Sequence, residues 1–429
     1  MRPSVVEMST ATTWPAAVDD IDLSDLAFWE RPLAERDAAF ATLRAERPIA
    51  FFPEPELEGI ERGPGFYAIT RHADVAEMSI RPDVFSSAKG ATSIPDMPEP
   101  LLEYYGSMIN LDNPRHARLR RIVQAAFTPK RLQQLFDDVA RLARSVVADA
   151  AEKDEFDFVA EVSSPFPLIV ICDMMGIPPS ERDFVLHQTN VILSGGDPEF
   201  IPEGTDPIGA FIQAGMDMSA LMTTIGEQRS AEPADDLTSA LVNTEVDGEK
   251  LTFAELASFF ILLAAAGNET TRTATSHGVH LLHRFPDQKR AWLDDREAVT
   301  PTAVEEIVRY ASPVIFMRRT VTRDVEVGGH EFHEGDKVAL QYNSANRDET
   351  VFADPHAFDV RRDPNPHLGF GARGPHFCLG AHLARRELAV IFNELFEQLP
   401  DLAVTGEPDH LRSSFINGIK HLPVAANRR

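Results

Sequence analysis

The chain has 429 residues, a formal net charge of -26, 43% hydrophobic and 25% charged residues, and 2 cysteines. This is the balance of a globular protein with a large core, not of a disordered chain. Two distant cysteines exclude a disulfide scaffold and a four-cysteine zinc site and suit a reducing compartment. The negative charge argues against nucleic acid and anionic lipid as partners. The longest apolar run, Phe259 to Gly267, falls far short of the roughly 18 residues that a bilayer span needs. The first twenty residues lack the apolar segment of a secretory signal. The expectation is a cytoplasmic protein with no membrane anchor.

Residues 1–30 are acidic and lack sustained periodicity, so they read as a flexible N-terminal arm; one domain is expected over 31–429. Residues 31–52 begin with a helical pattern and run into a short apolar strand. GFYAIT (65–70) looks like a second strand. RHADVAEMSI is a helix that stops at Pro82. The stretch from Ser86 to Met108, rich in Pro, Ser and Gly, reads as a long, functional or mobile loop.

Helical signals dominate from Asn113 to about Val147 and again over 165–228, where GGDPEF and PEGTDP interrupt them. The longest helical stretch lies within Leu237 to Arg284. There Thr252 and Glu255 have the spacing of a capping box. Pro301 to Tyr310 is a further helix with Pro301 near its first turn. Short strands follow, with Gly328-Gly329 as a tight turn. Residues 350–377 are loop-like, a last long helix follows Cys378, and a short strand pair closes the chain. The fold class is mainly α, with a smaller β portion.

The richest segment is FGARGPHFCLGAHLAR (370–385). Cys378 stands at a helix N-terminus, where anions are stabilised, so it is placed to be a thiolate. Gly371, Gly374 and Gly380 let the backbone approach something flat or bulky. A thiolate held by backbone N–H groups beside a planar partner is what a haem iron ligand needs. A lone cysteine is more often a small buried hydrophobe, which is the reading for Cys172 in the apolar run LIVICDMMGI.

The segment resembles the haem-binding loop of the cytochrome P450 superfamily. Gly374, His376, Cys378 and Gly380 match the family's spacing, while Phe370 lies one residue further from the Cys than usual. The resemblance covers the chain from about residue 35. It implies the P450 fold, a helical domain around haem b, with iron bound by the Cys378 thiolate and the loop residues Phe370, Gly371, His376 and Gly380 against the cofactor. In LLAAAGNETT (262–271), Ala266 and Gly267 would line an oxygen groove. Glu269 and Thr270 would form an acid–alcohol pair that delivers protons during oxygen activation. Glu306 and Arg309 resemble the family's buried structural pair. His116, Arg120, Arg319 and His376 match its propionate-binding positions, with Arg319 preferred to its neighbour Arg318 by register.

The implied reaction is insertion of one oxygen atom from O2 into a C–H bond. No flavin module, G-x-G-x-x-G fingerprint or four-cysteine cluster is present, so a ferredoxin and its reductase are the expected electron donors. Two basic segments, 112–131 and 361–386, stand out against the net charge as a docking face or an ordinary solvated face. The resemblance places Ile94, Met108, Leu263, Val314, Phe316 and Phe415 around an apolar substrate. Longer stretches such as ASFFILLAAAGNETTR and LRSSFINGIKHLPV are similar to actinobacterial P450s that hydroxylate the terminal methyl of methyl-branched fatty acids, isoprenoids and cholesterol-type side chains. A tailoring hydroxylase for a polyketide or terpene, and a non-catalytic haem-thiolate sensor, are the alternatives.

Overall fold

The computed structural model describes residues 17–55, 62–193, 197–201, 204–245 and 248–427. Its spine is the helix Phe253–Arg284, 32 residues long, or about 48 Å at 1.5 Å per residue. Thr252 starts it by accepting the N–H of Glu255 at 3.1 Å, while Glu255 accepts the N–H of Thr252 at 2.9 Å. This reciprocal cap satisfies two orphan donors. A helix with apolar and small residues on most faces belongs inside a protein. It packs against the helices Glu99–Gly106, Pro165–Met175, Arg182–Leu193, Pro207–Ala231, Arg296–Ala311 and Ala381–Gln398.

Two apolar cores flank this helix. One gathers Trp292, Ile307, Ile391 and Phe392. The other gathers Cys172, Met175, Met222 and Phe260. Cys172 is fully buried, as its apolar surroundings in the sequence lead one to expect, and burial pushes its thiol up to about 12.

The β portion is a five-stranded sheet in the spatial order Ile49–Phe52, Phe66–Ile69, Lys337–Gln341, Phe316–Val321, Phe85–Ser86. Register puts Arg319 opposite Val338 and Phe316 opposite Gln341. The side chains at 316 and 318 therefore share one face and Arg319 takes the other. A separate hairpin turns at Gly328 and Gly329, both with positive φ (61° and 78°), as a two-residue type I′ turn requires.

Three expectations are corrected. Residues 1–16 of the expected arm lie outside the described residues, but 17–30 are not loosely attached. Ile21, Leu23, Phe28 and Trp29 are buried against Phe40, and Trp29 Nε1 donates to Leu23 O at 3.0 Å. Two aromatic rings anchor a segment that has no periodicity to announce it. Second, the expected loop over 86–108 contains the helix Glu99–Gly106 and is pinned at its start. Ser86 and Ser87 donate to Asp112 at 2.5 and 2.9 Å, and Arg318 holds Ile94 O at 2.9 Å and Asp96 at 2.5 Å. Third, Pro301 lies inside the helix Arg296–Ala311, which starts earlier than expected because Asp295 caps Ala298 N at 3.4 Å.

Candidate functional site at the cysteine loop

The loop before Cys378 rests on a buried ion pair. Arg309 donates two bonds to Glu306, at 2.7 and 2.8 Å, and neither side chain is exposed. The guanidinium also binds the carbonyls of Asn346, Pro355 and Ala357. Arg362, Asn365 and the N–H of Asp359 complete the coordination of Glu306. Asn346 passes this order onward by accepting the N–H of Leu368 at 2.7 Å.

The loop itself closes through Gly371, whose φ of 81° lets its N–H reach Leu368 O at 2.8 Å. Phe370 still reaches the cysteine: its carbonyl accepts the N–H of Cys378 at 3.0 Å, and its ring lies 4.3 Å from the Arg385 guanidinium. Gly374 has no room for a side chain, since a Cβ would stand 2.6 Å from Ser79 O.

Cys378 is accessible, yet the protein around it desolvates its thiol. That combination belongs to a group lining a deep hollow. The sequence suggests a thiolate at a helix N-terminus. The N-terminus is there, and the Gly380 N–H, Arg120 and Arg385 all favour the anion. Desolvation outweighs them and raises the thiol pKa. A metal cation reverses that balance, because a coordinating thiol is deprotonated.

Beside the loop, the structure brings together His116, Arg120, Arg319 and His376. The two imidazole rings are 4.3 Å apart. Burial, and then Arg319, His116 and Arg120, push His376 down to about 3, so it is neutral. His116 is lowered by burial and by Arg120 and Arg319. Two guanidinium groups thus press on two neutral imidazoles. The nearby acid, Asp112, is engaged by Ser86 and Ser87. Arg318 turns away to Asp96, so Arg319 is the arginine at this cluster.

On the long helix, Ala266 is exposed although Ala264 and Asn268 are buried. An exposed alanine in an enclosed helix opens onto an internal hollow. Gly267 packs where a Cβ would stand 2.7 Å from Ile171. Thr270 Oγ1 donates to Ala266 O at 2.6 Å. Glu269 is buried, and its carboxylate meets Arg272 at 2.5 Å and Thr273 at 3.5 Å. Glu269 and Thr270 are therefore neighbours whose side chains bond to different groups. Burial raises the Glu269 carboxyl against the pull of Arg272.

The apolar residues expected around a substrate separate into groups. Ile94, Phe316 and Phe415 share one cluster, with the two phenyl rings edge-on at 5.6 Å. Met108 and Leu263 belong to another. Val314 packs with a third and bridges to Ile416.

An accessible thiol on a backbone-rich loop, small residues on the long helix and two arginines that form no ion pair among the described residues are the surroundings that a flat, dianionic iron macrocycle needs. The residues present fit a haem. A family model described as Cytochrome P450 matches residues 214–400. The chain is 52% identical over 411 residues to the methyl-branched lipid omega-hydroxylase of Mycobacterium tuberculosis, covering 95% of each chain. The chain belongs to the cytochrome P450 family. It is also 38% identical over 388 residues to the steroid C26-monooxygenase of Mycolicibacterium smegmatis, covering 90% of this chain and 89% of that one. A Mycobacterium marinum cytochrome P450 solved in complex with pseudoionone superposes with a TM-score of 0.90 at 41% identity, covering 94% and 98%.

This P450 is a monooxygenase with the mainly α fold of its family. Among the described residues, no helix is long and apolar enough to cross a membrane. Its basic segments are partly spent within the molecule. Arg118 pairs with Glu249 and Glu255, Arg362 with Glu306, and Arg385 with Glu305. Two site features escaped sequence reasoning. Arg272 follows Glu269 at i+3, a spacing that signals a helical ion pair. Glu387 is buried on the helix after the cysteine, accepts from Thr271 at 2.9 Å, and is pushed up to about 8 by burial. Nothing in its local sequence marks it as buried.

Proposed function

We propose that this P450 hydroxylates the terminal methyl of an apolar chain: a methyl-branched fatty acid, an isoprenoid or a sterol side chain. The observation that carries the reading is the 52% identity, over 95% of each chain, with an enzyme named for omega-hydroxylation of methyl-branched lipids. The steroid C26-monooxygenase relative extends the class to sterol side chains.

Cys378 is the proposed ligand of a haem b iron, and a haem so bound supplies the oxygen-activating chemistry. Arg120 and Arg319 match two propionates in charge, with His116 and His376 as neutral donors beside them. Glu269 and Thr270 hold and pass protons at the Glu269 carboxylate and the Thr270 hydroxyl. Ala266 and Gly267 leave space beside them. Ile94, Phe316 and Phe415 exclude water and guide the chain end, with Met108, Leu263 and Val314 as further walls. Electrons come from a ferredoxin and its reductase, docking near the cysteine loop.

A substrate screen tests this reading. Branched fatty acids, isoprenoids and cholest-4-en-3-one are titrated by difference spectroscopy, and products are assigned by mass spectrometry. Tight spectral shifts and oxygen at a terminal methyl are expected. Silence with every member of the panel, or oxygen placed only at internal carbons, contradicts it.

A further inference from the structure

Asn268 is fully buried, and neither its amide nitrogen nor its amide oxygen has a hydrogen-bond partner among the described residues. Among the described residues, Arg272 Nε and Thr275 Oγ1 are also buried without partners. Residues 268, 272 and 275 are spaced i, i+4 and i+7, so they form one stripe along the long helix. Each unmatched buried polar group is costly, because it gives up its bonds to water without replacement. A run of three such side chains on one stripe is not packing noise. Buried polar atoms of this kind are met by internal water, which typically makes about three bonds.

The stripe has two ends of different character. Arg272 NH1 donates to Asn190 Oδ1 at 3.0 Å, and Asn190 is a half-buried residue on the helix Arg182–Leu193. Arg272 NH2 contacts Glu269 Oε2 at 2.5 Å. Glu269 in turn stands beside Thr270 and the hollow at Ala266. Arg272 thus spans from a partly solvated amide to the buried acid.

We propose that Asn268, Arg272 and Thr275 bind ordered water behind the long helix, and that Arg272 is a positioning residue which links this water to Glu269. The inference rests on Glu269 being the proton-carrying acid of the proposed reaction. An arginine guanidinium is not itself a proton carrier. Its part is to fix the carboxylate and the water, while the water and Glu269 exchange the proton. Among the described residues, Arg272 is the single charged group acting on Glu269. Its other close neighbours are Thr273 on the same helix and the Gly418 backbone of the C-terminal hairpin. Removing the guanidinium therefore leaves only the Thr273 hydroxyl against burial and moves the carboxyl further upward.

The test uses the haem-loaded protein and the variants N268L, R272M, R272K and E269Q, each checked for fold by its CO-difference spectrum. Infrared difference titration of the ferric protein, with the carboxyl band assigned by its loss in E269Q, gives a readout independent of turnover. N268L and R272M are expected to keep substrate binding and lower product per electron by about tenfold, less than the roughly hundredfold or more that a lost proton-transfer group itself costs. They should also increase the solvent isotope effect. R272M should move the carboxyl band's titration to higher pH, and R272K should restore it. If E269Q loses coupling while N268L and R272M keep wild-type coupling, isotope effect and titration, the inference is wrong and the acid's role stands. If E269Q is itself silent, the acid's role falls. Should R272M fail to fold, N268L carries the test alone.

Discussion

Arg120 donates to the carbonyl of Phe377, the residue before the cysteine, at 2.8 Å, and its second nitrogen donates to Pro375 O at 2.7 Å. One guanidinium therefore fixes the peptide units beside Cys378 from a different helix, Arg115–Ala126. Bonds to a charged donor contribute about 1.5–3 kcal/mol each. The variant R120L is expected to lose about that much for each bond and to purify with a lower haem-to-protein ratio. R120K should not rescue it, because an ammonium lacks the planar fork that reaches two carbonyls. Haem content and urea denaturation of the two variants measure this.

Glu306 is the acid on which Arg309 and Arg362 both converge in the interior. Removing one partner of such a network leaves an uncompensated buried charge and costs about 3–5 kcal/mol. E306A should therefore fold poorly or release haem on mild heating. R309K should fare little better, since the Arg309 guanidinium binds three carbonyls as well as the acid. Thermal haem release followed at the Soret band reads the effect.

Glu387 gives a pH-dependent prediction. Its carboxyl titrates near 8 in the folded protein against an ordinary 4.5. Between those values the folded state keeps a proton that the unfolded chain has given up, so stability falls as pH rises through the window. Below it both states are protonated and the group contributes no slope. E387Q is always neutral and retains an acceptor for Thr271. It should flatten the stability profile between pH 5 and 8 and gain most at the alkaline end. Denaturant melts at several pH values check this, and a profile still as steep as wild type would contradict it.

Thr270 donates backward to Ala266 O at the edge of the hollow. T270A should keep substrate affinity and oxygen consumption while product per oxygen falls by about tenfold, short of the roughly hundredfold at the low end of a full acid–base contribution. Hydrogen peroxide should account for the missing oxygen. Parallel assays of oxygen, peroxide and product distinguish this from a general loss of activity.

Much of this site was legible because its chemistry is local. Gly374, Cys378 and Gly380 sit within one short segment, and the long helix declares itself through the Thr252–Glu255 cap and an apolar run. Arg319 was separable from Arg318 only through the register of T-x-T-x-D in the family resemblance, since strand alternation puts the two on opposite faces without saying which one meets the loop. What stayed hidden depends on distant contacts. The anchoring of residues 93–96 comes from Arg318, more than two hundred residues away. Phe28 and Trp29 bury against Phe40 without any periodic pattern. The burial of Glu387 follows from the long helix lying over it, and the polarity of its neighbours Arg385 and Arg386 suggested a solvated face. The raised thiol of Cys378 also reflects tertiary burial, which outweighs the local helix terminus.

Cys378 is proposed to hold a haem iron as thiolate. The most direct measurement is the CO-difference spectrum of the dithionite-reduced protein, with C378S as control. A Soret band at the red-shifted position of a thiolate-ligated haem is expected, lost or displaced in C378S. A folded, haem-containing wild-type protein whose band lies at the position of a histidine-ligated or otherwise thiolate-free haem would contradict it.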